Sequence, residues 1–347
     1  MQQINVALCS FGMSGWVFHA PFIQAHPGFN LYGVWERSEK KAAKDYPGII
    51  SFDSLEALLA DPKVDMVVVN TPTYTHYEFT KKALQHRKHV LTEKAFTTTA
   101  AEAEELVKLA ADNQCILGVF QNRRYDSDLK TIKKLLDEGL LGDIKEVEFH
   151  YDRFTLELSP KAHKETRNAG AGLLHDLGPH LIDQSLYLFG MPTAVSGYVA
   201  TTRPGSVVND YIDMLLYYNG FNVRLKSSLI VKEPQPSFIV HGTKGSILKP
   251  RADVQEDELK KGMKPGVAGW GTEDDAGQGI LNIIKDGESI RERLISERGD
   301  YMELYNKWHD AILQNKPAPI TGEDGWKVMK IIEAVQESND SRKVIEL

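Results

Sequence analysis

Ser10-x-Gly12-x-x-Gly15 stands between an apolar run at 4–9 and a stretch at 16–23 suited to a helix start. Glycines at such a junction let backbone N–H groups approach a pyrophosphate. Glu36 lies about 20 residues further on, at the end of a second apolar run, where a carboxylate can take a ribose 2′-OH. Arg37 and Ser38 follow, and a guanidinium there could hold a 2′-phosphate instead, so NAD and NADP both stay open. Lys94 comes just after a strand-like run at 88–92. An ammonium at the carboxyl end of such a strand can polarise a substrate oxygen and stabilise a developing alkoxide. Asp176, His180 and Asp183 have spacings that place all three on one face of a helix. Histidine titrates near neutral pH, as a proton shuttle should. Asp183 could then fix its tautomer while Asp176 meets substrate hydroxyls. Pro179 either starts that helix or kinks it. If it starts the helix, Asp176 falls outside and the spacing joins only His180 and Asp183.

Other side chains carry weaker signals. Asn122, Arg123 and Arg124 end a further strand-like run, where guanidinium forks suit hydroxyls or a carboxylate, or else a salt bridge between domains. Tyr151 and Arg153 are further substrate candidates. Trp270 sits in a stretch at 262–279 that holds six glycines, either as a platform over a sugar or cofactor or as an anchor for the loop. His19, His86 and His89 read as structural, and Cys9 and Cys115 as buried strand residues. No His/Asp/Glu cluster has metal-ligand spacing and no CxxC occurs, so no metal is expected.

Positioning these groups requires particular elements. Up to about residue 120, apolar runs at 4–9, 29–35, 64–70, 88–92 and 115–120 alternate with helical patterns. The run at 64–70 is rich in β-branched residues, as a strand buried on both faces should be. Thr99-Ala100-Ala101-Glu102 fits a capping box. Such alternation predicts a doubly wound parallel sheet. Beyond 122 the pattern changes. Val147, Phe149 and Tyr151 alternate with polar neighbours, and Asn219-Gly220 between two runs is a strong hairpin signal. A second hairpin is expected around 242–245, and closing helices at 301–314 and 325–338. The expected architecture is a dinucleotide-binding domain at 1–121 and, at 122–347, an open, mainly antiparallel sheet for substrate binding and oligomerisation. The chain has 347 residues, 42% hydrophobic and 26% charged, with a formal net charge of −7. These values exclude a disordered chain and argue against nucleic acid as a partner. No apolar run approaches the roughly 18–20 residues that span a bilayer. The N-terminal residues carry no signal-peptide pattern, so a cytoplasmic protein is expected.

Several of these motifs occur in one order: the glycine loop, Asn70-Thr71-Pro72-Thr73-Tyr74-Thr75-His76, Glu93-Lys94-Ala95, and Gly170-Ala171-Gly172-Leu173-Leu174-His175-Asp176-Leu177-Gly178-Pro179-His180-Leu181-Ile182-Asp183. In this the chain resembles the glucose–fructose oxidoreductase/inositol dehydrogenase/rhizopine-catabolism (Gfo/Idh/MocA) family. Phe11-Gly12-Met13-Ser14-Gly15-Trp16-Val17-Phe18-His19-Ala20-Pro21 and Gln121-Asn122-Arg123-Arg124-Tyr125-Asp126 bring it nearest the scyllo-inositol dehydrogenase-like branch. The resemblance implies a Rossmann domain joined to an open antiparallel sheet, and oxidation of a sugar or polyol hydroxyl with NAD or NADP. By position, Phe11, Gly12, Met13, Ser14, Gly15, Glu36, Arg37 and Ser38 would hold the cofactor. Thr71, Pro72, Thr73 and His76 would line its ribose and nicotinamide, with Glu93 and Lys94 beside the nicotinamide. Lys94, Asp176 and His180 would be catalytic, and Asn122, Arg124, Tyr151, Asp183 and Trp270 would meet substrate. Two departures stand out: Ser10 replaces the first glycine, and Ala95 replaces the proline after the lysine. Two other readings on the same fold are a non-catalytic NAD(P)-binding sensor and a glycoside hydrolase that uses NAD transiently. A homodimer or homotetramer is expected through the sheet half, because the alternation at 147–151 would otherwise expose an apolar face.

Overall fold

The computed structural model describes residues 3–37 and 39–347, and Ser38 therefore lies outside the described residues. In the first part of the chain, β1 (Ile4–Leu8), β2 (Phe29–Trp35), β3 (Ile50–Phe52), β4 (Met66–Val69), β5 (His89–Glu93) and β6 (Leu117–Phe120) form one parallel sheet. Its order is β3-β2-β1-β4-β5-β6, so the winding reverses between β1 and β4. β4 reads Met-Val-Val-Val and is buried at every position, as a central strand covered on both faces must be. The helix Ala100–Asp112 starts at the expected capping box, in which Thr99 Oγ1 accepts the Glu102 N–H and Glu102 Oε2 accepts the Thr99 N–H. It buries a stripe of Ala100, Ala103, Leu106 and Ala110.

The chain divides into two compact units, and the division is not a single cut. The first unit holds the chain up to Asn122 together with Gln255–Trp270 and Asp300–Trp326. Both late segments return to complete its core. Val119 donates its N–H to Ile320 O at 3.1 Å, and Gly118 bridges Thr321, so the late segment covers the edge strand β6. Trp308 is fully buried, and Phe22 stacks on Tyr305 with ring centroids 5.2 Å apart. Trp270 is fully buried too, edge-on to Phe22. A ring at zero exposure cannot serve as a platform for a ligand, so Trp270 is the loop anchor.

The second unit is built on a nine-stranded sheet of β7 (Ile144–His150), β8 (Ala194–Ala200), β9 (Tyr211–Tyr218), β10 (Phe221–Ser228), β11 (Phe238–Gly242), β12 (Gly245–Lys249), β13 (Gly279–Lys285), β14 (Glu288–Leu294) and β15 (Ile345–Glu346). Its order is β14-β13-β12-β11-β7-β10-β9-β8-β15; β7 runs parallel to β10 and the other pairings are antiparallel. Tyr218 pairs with Phe221 across Asn219-Gly220, where Gly220 takes a φ of +90° that glycine adopts without steric cost. The helix Gly178–Phe189 covers one face through Phe189, whose ring lies 6.5 Å from that of Phe149. Val147, Phe149 and Tyr151 are consequently buried within their own unit. The outward face instead carries Glu146, Glu148, Asp213 and Arg224, with Arg224 gripping Asp213 through two hydrogen bonds. The apolar alternation therefore does not leave an exposed apolar face. Among the described residues, no helix is long and apolar enough to cross a membrane.

The close approach at β6 gives a stability test. A Cβ at Gly118 would lie 2.5 Å from Ile320 O and 2.7 Å from the Trp308 ring. Gly118→Val is expected to destabilise the protein by about 1–3 kcal/mol through overpacking, read as a lower thermal midpoint. An unchanged midpoint would show that 300–326 does not pack there in solution.

Candidate active site

The loops after β1 and β4 meet where the sheet's winding reverses, the place where open α/β sheets bind ligands. Ser10 donates its N–H to Asn70 Oδ1 at 2.9 Å and its hydroxyl to Asn70 O at 2.8 Å, and Asn70 Nδ2 donates back to Ser10 O at 2.9 Å. This clamp accounts for serine in the first glycine position, and the Ser10 φ lies outside the left-handed region. Gly15 is required by close approach, since a Cβ there would lie 2.7 Å from Ser10 O. A Cβ at Gly12 would meet nothing within 4 Å and Met13 is exposed, so the loop backbone is open to a ligand. Phe11 is buried edge-on to Tyr46. Ser14 precedes a π-helical turn, Gly15–His19, which continues into the helix Ala20–Ala25.

Glu36 behaves differently from its expected role. Its carboxylate is buried, and its two oxygens accept the backbone N–H groups of Lys41 and Ala42 at 3.0 and 3.1 Å. It caps the short helix Ala42–Asp45, while Arg37 beside it is exposed. After β4, Thr71 and Thr75 share a hydroxyl contact at 2.6 Å, and Thr75 donates to Pro72 O. Thr73 opens a 3₁₀ turn, Thr73–Thr75. His76 is buried with Nδ1 2.7 Å from Ala95 O and Nε2 2.8 Å from Thr71 O, tying the loop after β4 to the one after β5. Burial lowers its pKa below the ordinary histidine value, against the two carbonyl contacts, which favour the charged ring. The Lys94–Ala95 peptide is cis. Glu93 ends β5, buried, and accepts the Lys94 N–H at 3.3 Å.

In the second unit, the helix begins at Gly178 with Pro179 in its first turn. Asp176 ends a separate short helix, Leu173–Asp176, and its carboxylate takes Lys164 Nζ at 2.9 Å. Only His180 and Asp183 therefore share one helix. Asp183 accepts Arg124 Nε and Nη2 at 2.8 and 2.7 Å, and the Arg124 guanidinium lies over the Tyr187 ring. Arg124 and Asp183 thus form a buried bidentate pair within one unit, which fixes both in place. His180 is buried with its ring 6.3 Å from that of Tyr151. β7 stops at His150, so Tyr151 projects from its end, with the Arg251 guanidinium 4.1 Å over its ring. Burial raises the Tyr151 pKa, but the guanidiniums of Arg123, Arg251 and Arg153 outweigh it and leave the phenol more acidic than usual. Asn122 is buried at the start of the 3₁₀ turn Asn122–Tyr125 that follows β6. His19, expected to be structural, is fully buried between Glu93 and Tyr305. Its place in the motif Phe11–Pro21 is the sequence signal that sets it apart from the other histidines.

Two family descriptions match the chain: an oxidoreductase family's NAD-binding Rossmann fold over residues 4–121, and the C-terminal alpha/beta domain of the same family over 133–347. The chain belongs to the Gfo/Idh/MocA oxidoreductase family. It is an NAD(P)-dependent dehydrogenase. This member is 35% identical to the scyllo-inositol 2-dehydrogenase (NADP(+)) IolW of Bacillus subtilis, across the whole chain and 97% of that protein. It superposes on the solved oxidoreductase YvaA of Bacillus subtilis with a TM-score of 0.94 at 35% identity, covering all of both chains. At 28% identity, 73% of the chain matches 68% of the 2,7-anhydro-N-acetylneuraminate hydratase of Escherichia coli.

A second histidine near the catalytic candidates gives a pH test. His175 is half-buried, and burial pushes its pKa from 6.5 down to about 4. Between those values the unfolded chain binds a proton that the folded chain does not, so stability rises with pH across that window and is lost as pH falls. The difference reaches at most about 3 kcal/mol at the acid end. Denaturant melts of wild type and His175→Gln should differ in slope between pH 6.5 and 4, the variant being flatter. Parallel curves would refute the assignment.

Proposed function

We propose that this enzyme exchanges a hydride between NADP and a secondary hydroxyl or carbonyl of an inositol, related polyol or sugar. One observation carries the cofactor choice. The Glu36 carboxylate, which would take the 2′-OH of NAD, is buried and holds the start of a helix, while exposed Arg37 follows it. Two N–H donors also weaken the repulsion that a bare carboxylate would exert on a 2′-phosphate. Full-length similarity to an enzyme named as an NADP-dependent scyllo-inositol dehydrogenase agrees, and it supports the substrate class.

The open backbone at Gly12 and Met13, with Thr71 to Thr73, would hold the dinucleotide. When bound, it supplies the hydride acceptor or donor at its nicotinamide. The protein's own part is orientation and proton movement. Lys94 polarises the substrate oxygen with its ammonium and stabilises developing alkoxide charge. His180 accepts the hydroxyl proton at a ring nitrogen during oxidation and returns it during reduction. Asp176 positions a substrate hydroxyl. Tyr151, held by its arginines, flanks His180. Domain roles follow: residues 1–121 bind the cofactor, and 122–347 supply the substrate groups. Copies associate through the outward face of the nine-stranded sheet, where Tyr198 and Ile284 are exposed. The protein works in the cytoplasm, where its free Cys9 and Cys115 stay reduced.

The decisive experiment is a panel of inositols, polyols and aldoses with NADP and NAD, followed by absorbance of the reduced cofactor. Steady turnover with NADP preferred is expected, and Arg37→Ala should erase that preference. Lys94→Met should lower turnover by about two orders of magnitude or more. His180→Asn should lower it by roughly 10²–10⁴-fold and remove the rise of oxidation with pH. Undiminished turnover in either variant sinks that residue's role. Substrate conversion without a net change in cofactor absorbance would replace the dehydrogenase reading with transient use of the cofactor. Light scattering should find an oligomer, and a monomer at micromolar concentration would refute association.

A further inference from the structure

Behind Lys94 runs a buried hydrogen-bond chain that none of these steps uses. His19 closes the π-helical turn, is fully buried, and packs against the Phe120 ring at 4.4 Å. Its Nε2 lies 3.0 Å from Glu93 Oε1, and its Nδ1 lies 2.9 Å from the Tyr305 hydroxyl. Tyr305 comes from the helix Met302–Gln314, one of the segments that return to the first unit. The other carboxylate oxygen, Glu93 Oε2, accepts the Lys94 backbone N–H. The chain thus runs Tyr305, His19, Glu93, Lys94.

Counting donors fixes where the protons are. The Tyr305 oxygen lies 2.6 Å from Phe18 O. Two oxygens approach that closely only with a proton between them, and a carbonyl has none, so the single phenolic proton is on this contact. The Tyr305 oxygen can then only accept from His19, and Nδ1 must carry a hydrogen. A carboxylate also only accepts. With Nδ1–H committed to Tyr305, the contact between Nε2 and Oε1 needs a second proton. It is either imidazolium facing carboxylate or imidazole facing carboxylic acid. Both forms have the same total charge of zero. Without that proton, two lone pairs would face each other across a buried gap, which costs the full desolvation of both groups.

We propose that His19 is a positioning residue for the Glu93–Lys94 pair: it shares one trapped proton with Glu93, fixes that side chain, and cancels the charge it would otherwise place beside Lys94. The proposal rests on the reading that Lys94 acts on the substrate oxygen. Neutralising Glu93 keeps the field of the Lys94 ammonium directed at that oxygen, and anchoring Oε2 keeps the Lys94 backbone where β5 delivers it. The phenol of Tyr305 selects the histidine tautomer, and burial pushes the pKa of that phenol well up, so it remains a neutral partner.

The test combines three variants with one spectroscopic measurement on the intact enzyme. In His19→Leu, kcat should fall by roughly 10²-fold, the scale of a displaced catalytic group, with cofactor Kd nearly unchanged. Adding Glu93→Gln to His19→Leu removes the exposed charge and should recover part of the loss. Tyr305→Phe, which deletes only a hydroxyl, covers the case in which His19→Leu fails to fold, and should lower kcat without moving KM. In wild type, side-chain 15N shifts of His19 should show a hydrogen on Nδ1 and a hydrogen-bonded proton at Nε2. A His19 ring with a bare, acceptor-only Nδ1 would overturn the proposal. So would folded His19→Leu or Tyr305→Phe enzyme with wild-type kcat, or a double variant no faster than His19→Leu. If Lys94→Met retains full turnover while the shifts are as expected, the fault lies with the role given to Lys94 and not with the shared proton.

Discussion

The clamp between Ser10 and Asn70 is the interaction on which the cofactor end of the molecule depends. Its three hydrogen bonds join the loops after the two strands that flank the reversal of winding. The stitching continues sideways. His76 ties the loop after β4 to Ala95 after β5, and Glu93 is tied through His19 to Tyr305. The rim of strand ends is therefore one hydrogen-bonded strip, not three independent loops. A site built on such a strip holds its geometry because each side chain is over-determined by its neighbours.

The second unit reaches the same end with buried ion pairs. Arg124 and Asp183 lock the turn after β6 to the helix that carries His180. Lys249 is fully buried and donates to both oxygens of Glu273, whose Oε2 also takes the Ser127 hydroxyl, so the loop after β12 is pinned to the start of the helix Ser127–Asp137. Arg203 joins Asp210 to Glu165 in the same way. Buried pairs add little net stability relative to apolar packing, but breaking one leaves an uncompensated charge. Their effect is to exclude other arrangements of the segments around His180 and Tyr151.

Glu36 shows how one residue type can satisfy two different rules. A carboxylate at the end of the second strand matches the position that takes a ribose hydroxyl, and it also matches what a helix start needs, an acceptor for unpaired N–H groups. Sequence spacing alone does not separate these uses. Asp183 is a similar case: its helical spacing from His180 is real, yet its carboxylate is gripped by an arginine 59 positions earlier in the chain.

Local periodicity and turn chemistry determined much of this protein. The parallel sheet, the capping box at Thr99, the hairpin at Asn219-Gly220 and the order of motifs that marks the family are all written in residues close together in the chain, because helix caps, tight turns and strand periods are short-range physics. Pro179 carried both of its outcomes in the sequence, and only the fold chose helix initiation, which set Asp176 apart from His180. The return of 255–270 and 300–326 to the first unit was invisible, since a segment that covers an edge strand and fills a core from afar has no local signature. The same reason hid the burial of Trp270, the engagement of Asp183 and the chain through His19. Each depends on a partner dozens to hundreds of residues away, and only tertiary packing decides which partner that is.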